Sequence, residues 1–192
     1  MSDKKLTINP KRIVLRVLGL LFSTVPVAAA TLLYFPLWRE RGGAAALSGE
    51  GITDYTICGM GGELIAEIIG RADFLRKEDI RLIVQPMSKF AVLRRELASL
   101  GYETEAEEYS ASQGKLYLTL CASYTGEART ITDAEAEFGK EEFLSDITGA
   151  KREFLERRAD ALKRAADGKA RGGEDSSSEN TLYAYLNKFL GR

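Results

Sequence analysis

The stretch that decides the fold is Thr56-Ile57-Cys58-Gly59-Met60-Gly61-Gly62-Glu63-Leu64-Ile65. A short apolar run ends at three glycines, and apolar residues with helical spacing follow. The pattern predicts a strand over 54–58, a glycine turn and a helix over 63–69. Glycines at such a turn let a backbone approach a ligand closely, and the helix start offers free amide donors. A turn that needs glycine only for its dihedral angles explains the same motif.

A second strand–helix unit follows the first. The run Arg81-Leu82-Ile83-Val84-Gln85 predicts a buried strand that Pro86 ends. Ser88 is expected to cap a helix that continues to about Leu100, where Gly101 closes it. This order of elements predicts a parallel pair of strands joined by a helical crossover.

Two further strands are predicted over 102–109 and 115–123, and a polar turn with Gly114 joins them into a hairpin. The sequence therefore predicts an α/β fold whose parallel sheet ends in an antiparallel hairpin. Because ligands bind outside the carboxyl ends of parallel strands, the loops at 59–62 and at Gln85-Pro86-Met87 are expected to form one pocket wall. A proline that merely ends a strand is the other interpretation of the second loop.

The composition excludes several kinds of chemistry. Among 192 residues there is no histidine, so a histidine base, a Ser-His or Cys-His pair and an imidazole zinc site are excluded. The formal net charge of −1 points to no partner by itself. Cys58 and Cys121 both lie in strand-like runs, which indicates small buried side chains in a reducing compartment.

The N-terminal segment has a different character. Residues 17–38 contain no charged side chain, lie between basic clusters, and are long enough to cross a bilayer. We expect residues 1–47 to form a basic N-terminus, an apolar transmembrane helix and a linker. A signal peptide with cleavage near Ala30 and a buried helix of a globular domain are the alternatives. The sequence pattern changes abruptly at 47–51, which also fits an N-terminal segment that comes from an unrelated reading frame or gene fusion.

The chain from Asp133 onward is expected to be helical, with a polar loop over 168–180. Apolar stripes on both sides of that loop predict an antiparallel helical hairpin over 129–192. A basic stretch on its first helix could contact the phosphates of a nucleic acid, and a solvated face with interleaved carboxylates explains it equally. The candidate residues are Lys151, Arg152, Arg157, Arg158, Lys163 and Arg164.

The ordered series of motifs resembles the bacterial tRNA adenine-N1 methyltransferases called TrmK. The resemblance begins at 56–65 and continues with Arg81-Leu82-Ile83-Val84-Gln85-Pro86-Met87. Leu93-Arg94-Arg95-Glu96-Leu97, Gly101-Tyr102-Glu103 and Gly114-Lys115-Leu116-Tyr117 follow in order. The resemblance covers about 52–126 and extends to the helical tail. It implies a Rossmann-like class I methyltransferase sheet, of which this segment supplies strands four to seven.

The same resemblance implies the site and its ligands. S-adenosylmethionine (SAM) is the implied cofactor, held by Gly59, Met60, Gly61 and Gly62. The implied substrate-binding residues are Gln85, Pro86 and Met87, and the implied substrate is an adenine of tRNA. The implied strand order also separates Cys58 from Cys121 by one strand, about 10 Å, which is too far for a disulfide.

The family's first SAM-binding motifs do not occur before Gly51. We therefore expect residues 48–128 to form a truncated methyltransferase-like domain in which SAM binding and activity are impaired. An apolar first strand without a neighbour would invite association with a partner or a second copy. The alternative function is a non-catalytic, membrane-tethered remnant or a module that binds RNA or protein. The methyltransferase-like part is expected in the cytoplasm, where the N-terminal helix would tether it to the inner face of the membrane.

Overall fold

The computed structural model describes residues 52–192. The predicted apolar helix at 17–38, its linker and the suggested fusion point lie outside the described residues. Within residues 52–192, no helix is both long and apolar enough to span a membrane.

The α/β part alternates strands and helices as the sequence predicts. Its elements are β1 (Asp54–Gly61), α1 (Gly62–Arg71), β2 (Arg81–Ser88), α2 (Phe90–Ser99), β3 (Tyr102–Ser112) and β4 (Lys115–Tyr124). A short 3₁₀ turn, Asp73–Leu75, lies between α1 and β2. The tail contains α3 (Asp133–Phe138), a 3₁₀ turn (Glu141–Leu144), α4 (Gly149–Arg171) and α5 (Ser177–Leu190).

The four described strands form one sheet in the order β1-β2-β4-β3. β1 and β2 are parallel, whereas β4 is antiparallel to both β2 and β3. This arrangement confirms the predicted parallel pair and the closing hairpin, whose turn contains Gly114 with φ of +73°. Cys58 pairs with Gln85 on β2, and Cys121 pairs with Ile83 on the other edge of the same strand. The two thiols are free, as the predicted strand order requires, but Cys58 is exposed and Cys121 half-buried, so the expectation that both are buried is wrong.

The core lies on one face of the sheet, where α1, α2 and α4 pack. Leu82, Val84, Leu118 and Leu120 are each 0% exposed on that face. Alternate residues of the same strands point to the opposite face and are half-buried or exposed, among them Ile83 and Cys121. Ile65, Ile69, Leu93 and Leu97 bring the apolar stripes of α1 and α2 onto the core. The helical spacing of apolar residues after the glycine turn therefore predicted the buried face of α1.

A bulge in β3 changes which of its side chains point inward. Thr104 pairs with Ala122, but Ala106 pairs with Cys121, so the register shifts at the intervening residue, Glu105. After the shift, Glu107 lies opposite Leu120 on the core face, although strict alternation from Thr104 would place it on the other face. The bulge thus brings a carboxylate into the core.

Several predicted boundaries are wrong. β2 continues through Pro86 to Ser88, because β4 pairs with β2 only as far as Val84 and no bond from position 86 to β4 is needed. Ser88 is not the cap of α2: Lys89 occupies that position, in a left-handed conformation without a side-chain cap.

The tail differs from the prediction in two places. The helix expected from Asp133 is interrupted between α3 and α4, where Gly139 and Gly149 have φ of +84° and +51°. The loop predicted over 168–180 is only 172–176, because α4 continues to Arg171 and α5 begins at Ser177. Contacts of Lys169 with Glu179 and of Arg192 with Glu156 join opposite ends of α4 and α5, which confirms an antiparallel hairpin.

Candidate methyltransferase site

The two loops predicted to share a pocket wall lie side by side. Parallel pairing of β1 with β2 continues from Asp54 opposite Arg81 to Gly61 opposite Ser88. The register shifts around Gly59, whose φ of +80° makes it the irregular residue at the end of β1. The two predicted loops are therefore mostly the last paired residues of β1 and β2, at the same edge of the sheet, and α1 and α2 begin there. We call residues 59–62 the glycine loop and residues 85–89 the substrate loop. The carboxyl edge of parallel strands is where open α/β sheets bind ligands.

The glycine loop is open on one side and tightly packed on the other. No atom lies within 4 Å of the position that a Cβ would take at Gly59, so a ligand can approach that backbone. At Gly62, the first residue of α1, a Cβ would lie 2.4 Å from the carbonyl oxygen of Lys89 and 3.1 Å from Cβ of Leu93. Gly61 is less crowded, since an added Cβ would lie 3.3 Å from Oγ of the Ser88 side chain. Gly59 thus leaves room for a ligand to approach the backbone, whereas Gly62 allows the first turns of α1 and α2 to pack closely.

The second loop presents one apolar side chain to solvent. Gln85 is half-buried and Pro86 is buried, whereas Met87 is 47% exposed. Nε2 of Gln85 lies 3.7 Å from the sulfur of Met87. An exposed methionine beside the carboxyl edge gives this loop an apolar platform of the kind that a flat base can cover.

Lys89 connects the two loops. Its backbone has φ of 58° and ψ of 42°, a left-handed conformation that is uncommon for a residue other than glycine. Its Nζ lies 3.8 Å from Oε1 of Glu63 on α1, and these side chains are 60% and 63% exposed. Sequence analysis missed Lys89 because it assigned the start of α2 to Ser88. The signal that could have found it is a lysine two residues after the Gln85-Pro86-Met87 motif.

A separate pocket lies between α2, β3 and α3, away from this edge. Its lining includes Arg94, Tyr102, Glu107, Arg129 and Lys140. Most charged groups there already have partners within the chain: Arg94 with Glu107, Arg129 with Glu135, and Lys140 with Glu103. Burial by itself disfavours ionised Glu103, but Lys140 and Arg129 hold the pKa of its carboxyl below the ordinary value. This pocket is internal ion-pair packing, so we place the candidate site at the carboxyl edge.

The basic residues proposed for tRNA lie on α4, and most of them are engaged within the chain. Lys151 donates to the carbonyl oxygen of Phe143, and Arg158 pairs with Glu137. Three others form pairs one helical turn apart: Arg152 with Glu156, Arg157 with Glu153, and Lys163 with Asp167. The structure gives Arg164 no hydrogen bond or ion pair within residues 52–192.

Exposure separates these six residues into a half-buried pair and four exposed residues, Arg152, Arg157, Lys163 and Arg164. Lys151 and Arg158 are half-buried and tie α4 to the segment before it, which favours a structural role. Arg157 and Arg164 are exposed and seven positions apart, and Arg171, which was not among the candidates, continues the row at the end of α4. Residues at this spacing lie on one side of a helix, about 10 Å apart along its axis. We call Arg157, Arg164 and Arg171 the arginine row.

The tail packs against the helix that follows the substrate loop. Phe154 of α4 contacts the ring of Phe90, the first residue of α2, with centroids 5.3 Å apart. The same ring lies 5.1 Å from that of Tyr109 on β3. The start of α2 is thus held by the tail on one side and by Gly62 on the other.

Comparisons with known proteins agree with this geometry. Residues 37–120 match the model of a family described as a methyltransferase domain. A comparison with curated protein sequences gives no match. Among solved structures, a protein of the NADB-Rossmann superfamily from Streptococcus agalactiae has a TM-score of 0.59 and 27% identity, covering 72% of this chain and 60% of its own.

Solved tRNA methyltransferases have the same fold. A putative tRNA (m1A22) methyltransferase of Streptococcus pneumoniae, in complex with S-adenosyl-L-methionine, has a TM-score of 0.58 and 24% identity over 77% of this chain and 65% of that one. TrmK of B. subtilis has a TM-score of 0.53 and 21% identity over 78% and 65%. The chain has a TrmK-like methyltransferase fold. The resemblance inferred from the motifs is confirmed, and the chain spans less than two thirds of the length of each of these three proteins.

Proposed function

We propose that this protein binds SAM at the carboxyl edge of β1 and transfers its methyl group to N1 of an adenine in tRNA. The observation that carries the proposal is the pairing of Gly61 with Ser88, which brings the glycine loop and the Gln85-Pro86-Met87 loop to one edge. A TrmK-like structure in complex with S-adenosyl-L-methionine supports SAM as the ligand.

The residues present fit the cofactor at the glycine loop. The open space at Gly59 lets the methionine or adenosine part of SAM approach the backbone without a side chain in between. In this proposal residues 59–62 hold SAM, and Met87 supports the target base from the neighbouring loop. Bound SAM supplies an activated methyl group, and the protein supplies the relative position of donor and acceptor.

The reaction is compatible with a protein that has no histidine. N1 of adenine carries an in-plane lone pair, so it can attack the methyl carbon without first losing a proton. Catalysis then depends mainly on in-line alignment and on an environment that accepts positive charge on the base. For this reason we assign no residue the role of general base.

The arginine row and Lys163 are the proposed contacts with tRNA outside the site. They project from α4, whose Phe154 packs at the start of α2 beside the substrate loop. RNA that lies along α4 could therefore reach the carboxyl edge. Arg152 is exposed but is shared between Glu156 and the carbonyl oxygen of Ile147, so it has less freedom to leave its partners.

The test is calorimetric titration of the full chain with SAM, followed by methyl transfer from labelled SAM to unmodified tRNA. We expect saturable SAM binding and label in 1-methyladenine after nuclease digestion. The matched variants are G59V, which fills the open approach and adds strain at a positive φ, and G114V, which does the same at the distant hairpin turn. Absence of SAM binding by a folded full-length protein would overturn the proposal. Equal SAM affinity in G59V and G114V would remove the glycine loop as its site.

A further inference from the structure

Lys89 is an exposed cation in the substrate loop, two residues after the exposed Met87. We propose that Lys89 binds a phosphate of the RNA beside the nucleotide that covers Met87, and that Glu63 holds this lysine in place until the phosphate replaces it. The inference rests on the proposed function, since it names the residue that positions the RNA in the same site.

The position of Lys89 suits this role because its backbone is fixed. The carbonyl oxygen of Lys89 faces Gly62 so closely that a Cβ there would lie 2.4 Å away. Its amide precedes α2, whose next residue, Phe90, is held by the ring of Phe154. A left-handed lysine between two such contacts cannot relax to another conformation without moving α1 or α2. The direction in which its side chain leaves the loop is therefore set before RNA binds, which lowers the ordering cost of the contact.

The partner of Lys89 within the chain is easily replaced. Its Nζ and Oε1 of Glu63 are 3.8 Å apart, at the long limit of an ion pair, and both side chains are mostly exposed. Exposed pairs of this kind contribute little to stability. A phosphate brings a full negative charge and several acceptor oxygens to the ammonium group. Exchange of the carboxylate for a phosphate therefore costs little and gives a stronger contact.

The same geometry also fits a merely structural lysine, and the two roles predict opposite effects at Glu63. If Lys89 binds phosphate, Glu63 competes with RNA, and its neutralisation should tighten RNA binding. If the ion pair only orders the loops, loss of either charge disturbs the site in the same direction. The sign of the effect at position 63 decides between them.

The experiment measures the affinity of the full-length protein for an unmodified tRNA transcript at several salt concentrations. The variants are K89N and E63Q, because asparagine tolerates the left-handed conformation and should preserve the fold. Their charge-matched controls are K77N, on the segment before β2, and E67Q, one turn further along α1. We expect K89N to weaken binding several-fold more than K77N and to reduce the salt slope by about one. We expect E63Q to bind tRNA more tightly than E67Q.

Three results overturn the inference. The first is equal affinity and salt slope for K89N and K77N, the second is weaker tRNA binding by E63Q as by K89N, and the third is no tRNA binding by the wild-type protein. If the wild-type protein binds tRNA, the first two results overturn the inference alone and leave the proposed function standing. If it binds no tRNA, the tRNA part of the proposed function fails as well, and SAM calorimetry on the same samples shows whether the cofactor part stands. A protein that binds SAM but no tRNA remains a methyltransferase candidate with another substrate, whereas one that binds neither ligand contradicts both proposals.

Discussion

Arg94 of α2 and Glu107 of β3 form a two-pronged ion pair inside the protein. Nε and Nη2 of the guanidinium each lie 2.7 Å from a different carboxylate oxygen, and the side chains are 3% and 0% exposed. Nη1 of Arg94 also donates to the carbonyl oxygens of Ala136 and Glu137 on α3, at 2.8 and 3.0 Å. Burial by itself lowers the pKa of Arg94, but Glu107 raises it more, so the guanidinium stays charged. One side chain thus joins the helix after the substrate loop to the sheet and to the tail.

The first prediction concerns this pair. R94M should destabilise the protein by about 3–5 kcal/mol, because it leaves the Glu107 carboxylate buried with only the Tyr109 hydroxyl as a donor. R94M/E107L should be less destabilised than the sum of the two single variants, since it removes both charges. Urea unfolding of all four proteins gives the coupling energy. Additive effects would show that the two side chains act independently.

The second prediction concerns Gly62. G62A should lower the free energy of unfolding by about 1–3 kcal/mol, because a Cβ at 2.4 Å from the Lys89 carbonyl forces α1 and α2 apart. G70A is the matched control within the same helix, since its Cβ would meet only a Leu100 methyl group at 3.9 Å. Alanine there should stabilise the helix by up to about 1 kcal/mol. Thermal unfolding monitored by circular dichroism distinguishes the two, and equal effects would contradict the packing argument.

The parallel strand pair, the hairpin and the paired loops could be predicted from sequence because each depends on local patterns, whereas the order of the strands was implied by the resemblance to TrmK. Apolar alternation and the glycine turn are sufficient to place β1 beside β2. The Arg94–Glu107 pair could not be predicted, since it depends on the bulge at Glu105 that turns Glu107 inward. Local patterns do not reveal where a strand gains one unpaired residue.

The sequence also did not show which basic side chains of α4 are exposed and which are engaged within the chain. Charge alone groups Arg158 with Arg157, yet the first is half-buried against Glu137 and the second is exposed. The distinction depends on where α3 ends relative to α4, which is set by the positive φ values of Gly139 and Gly149. We therefore restrict the proposed tRNA contacts to the exposed side chains, which can leave their partners within the chain at little cost. The domain boundaries near 47 and 128 stay a prediction.

The third prediction tests that narrower set. R157Q/R164Q should weaken tRNA binding and reduce the salt slope by about two, because two phosphate contacts are lost. Folding should be retained, since both side chains are exposed and the Arg157–Glu153 pair lies on the helix surface. R71Q/K77Q removes the same charge from exposed positions outside the tail and should leave the slope unchanged. Equal slopes for the two double variants would exclude the arginine row as an RNA contact.

The fourth prediction concerns Tyr102, which is 2% exposed and whose hydroxyl has no hydrogen-bond partner within the described residues. Y102F should therefore stabilise the protein at neutral pH by about 1 kcal/mol, because a buried unsatisfied polar group is removed. Burial also raises the pKa of Tyr102 from 10.0 to about 12. The folded state thus favours the neutral phenol. As pH rises, the phenol therefore ionises in the unfolded chain before it ionises in the folded protein.

The sign of the pH dependence follows from that difference. Below pH 10 the phenol is neutral in both states, so the wild-type protein has its full stability with respect to this group. Between pH 10 and about 12 the unfolded chain releases the proton while the folded protein keeps it, so stability falls with pH. Two pKa units correspond to about 2–3 kcal/mol. In urea unfolding from pH 8 to pH 12, the free energy of unfolding of Y102F should increase relative to that of the wild type as pH rises through this window. Y183F is the control at a more exposed tyrosine. A constant difference between Y102F and wild type would contradict the raised pKa, while its sign at pH 8 would still report the cost of the buried hydroxyl.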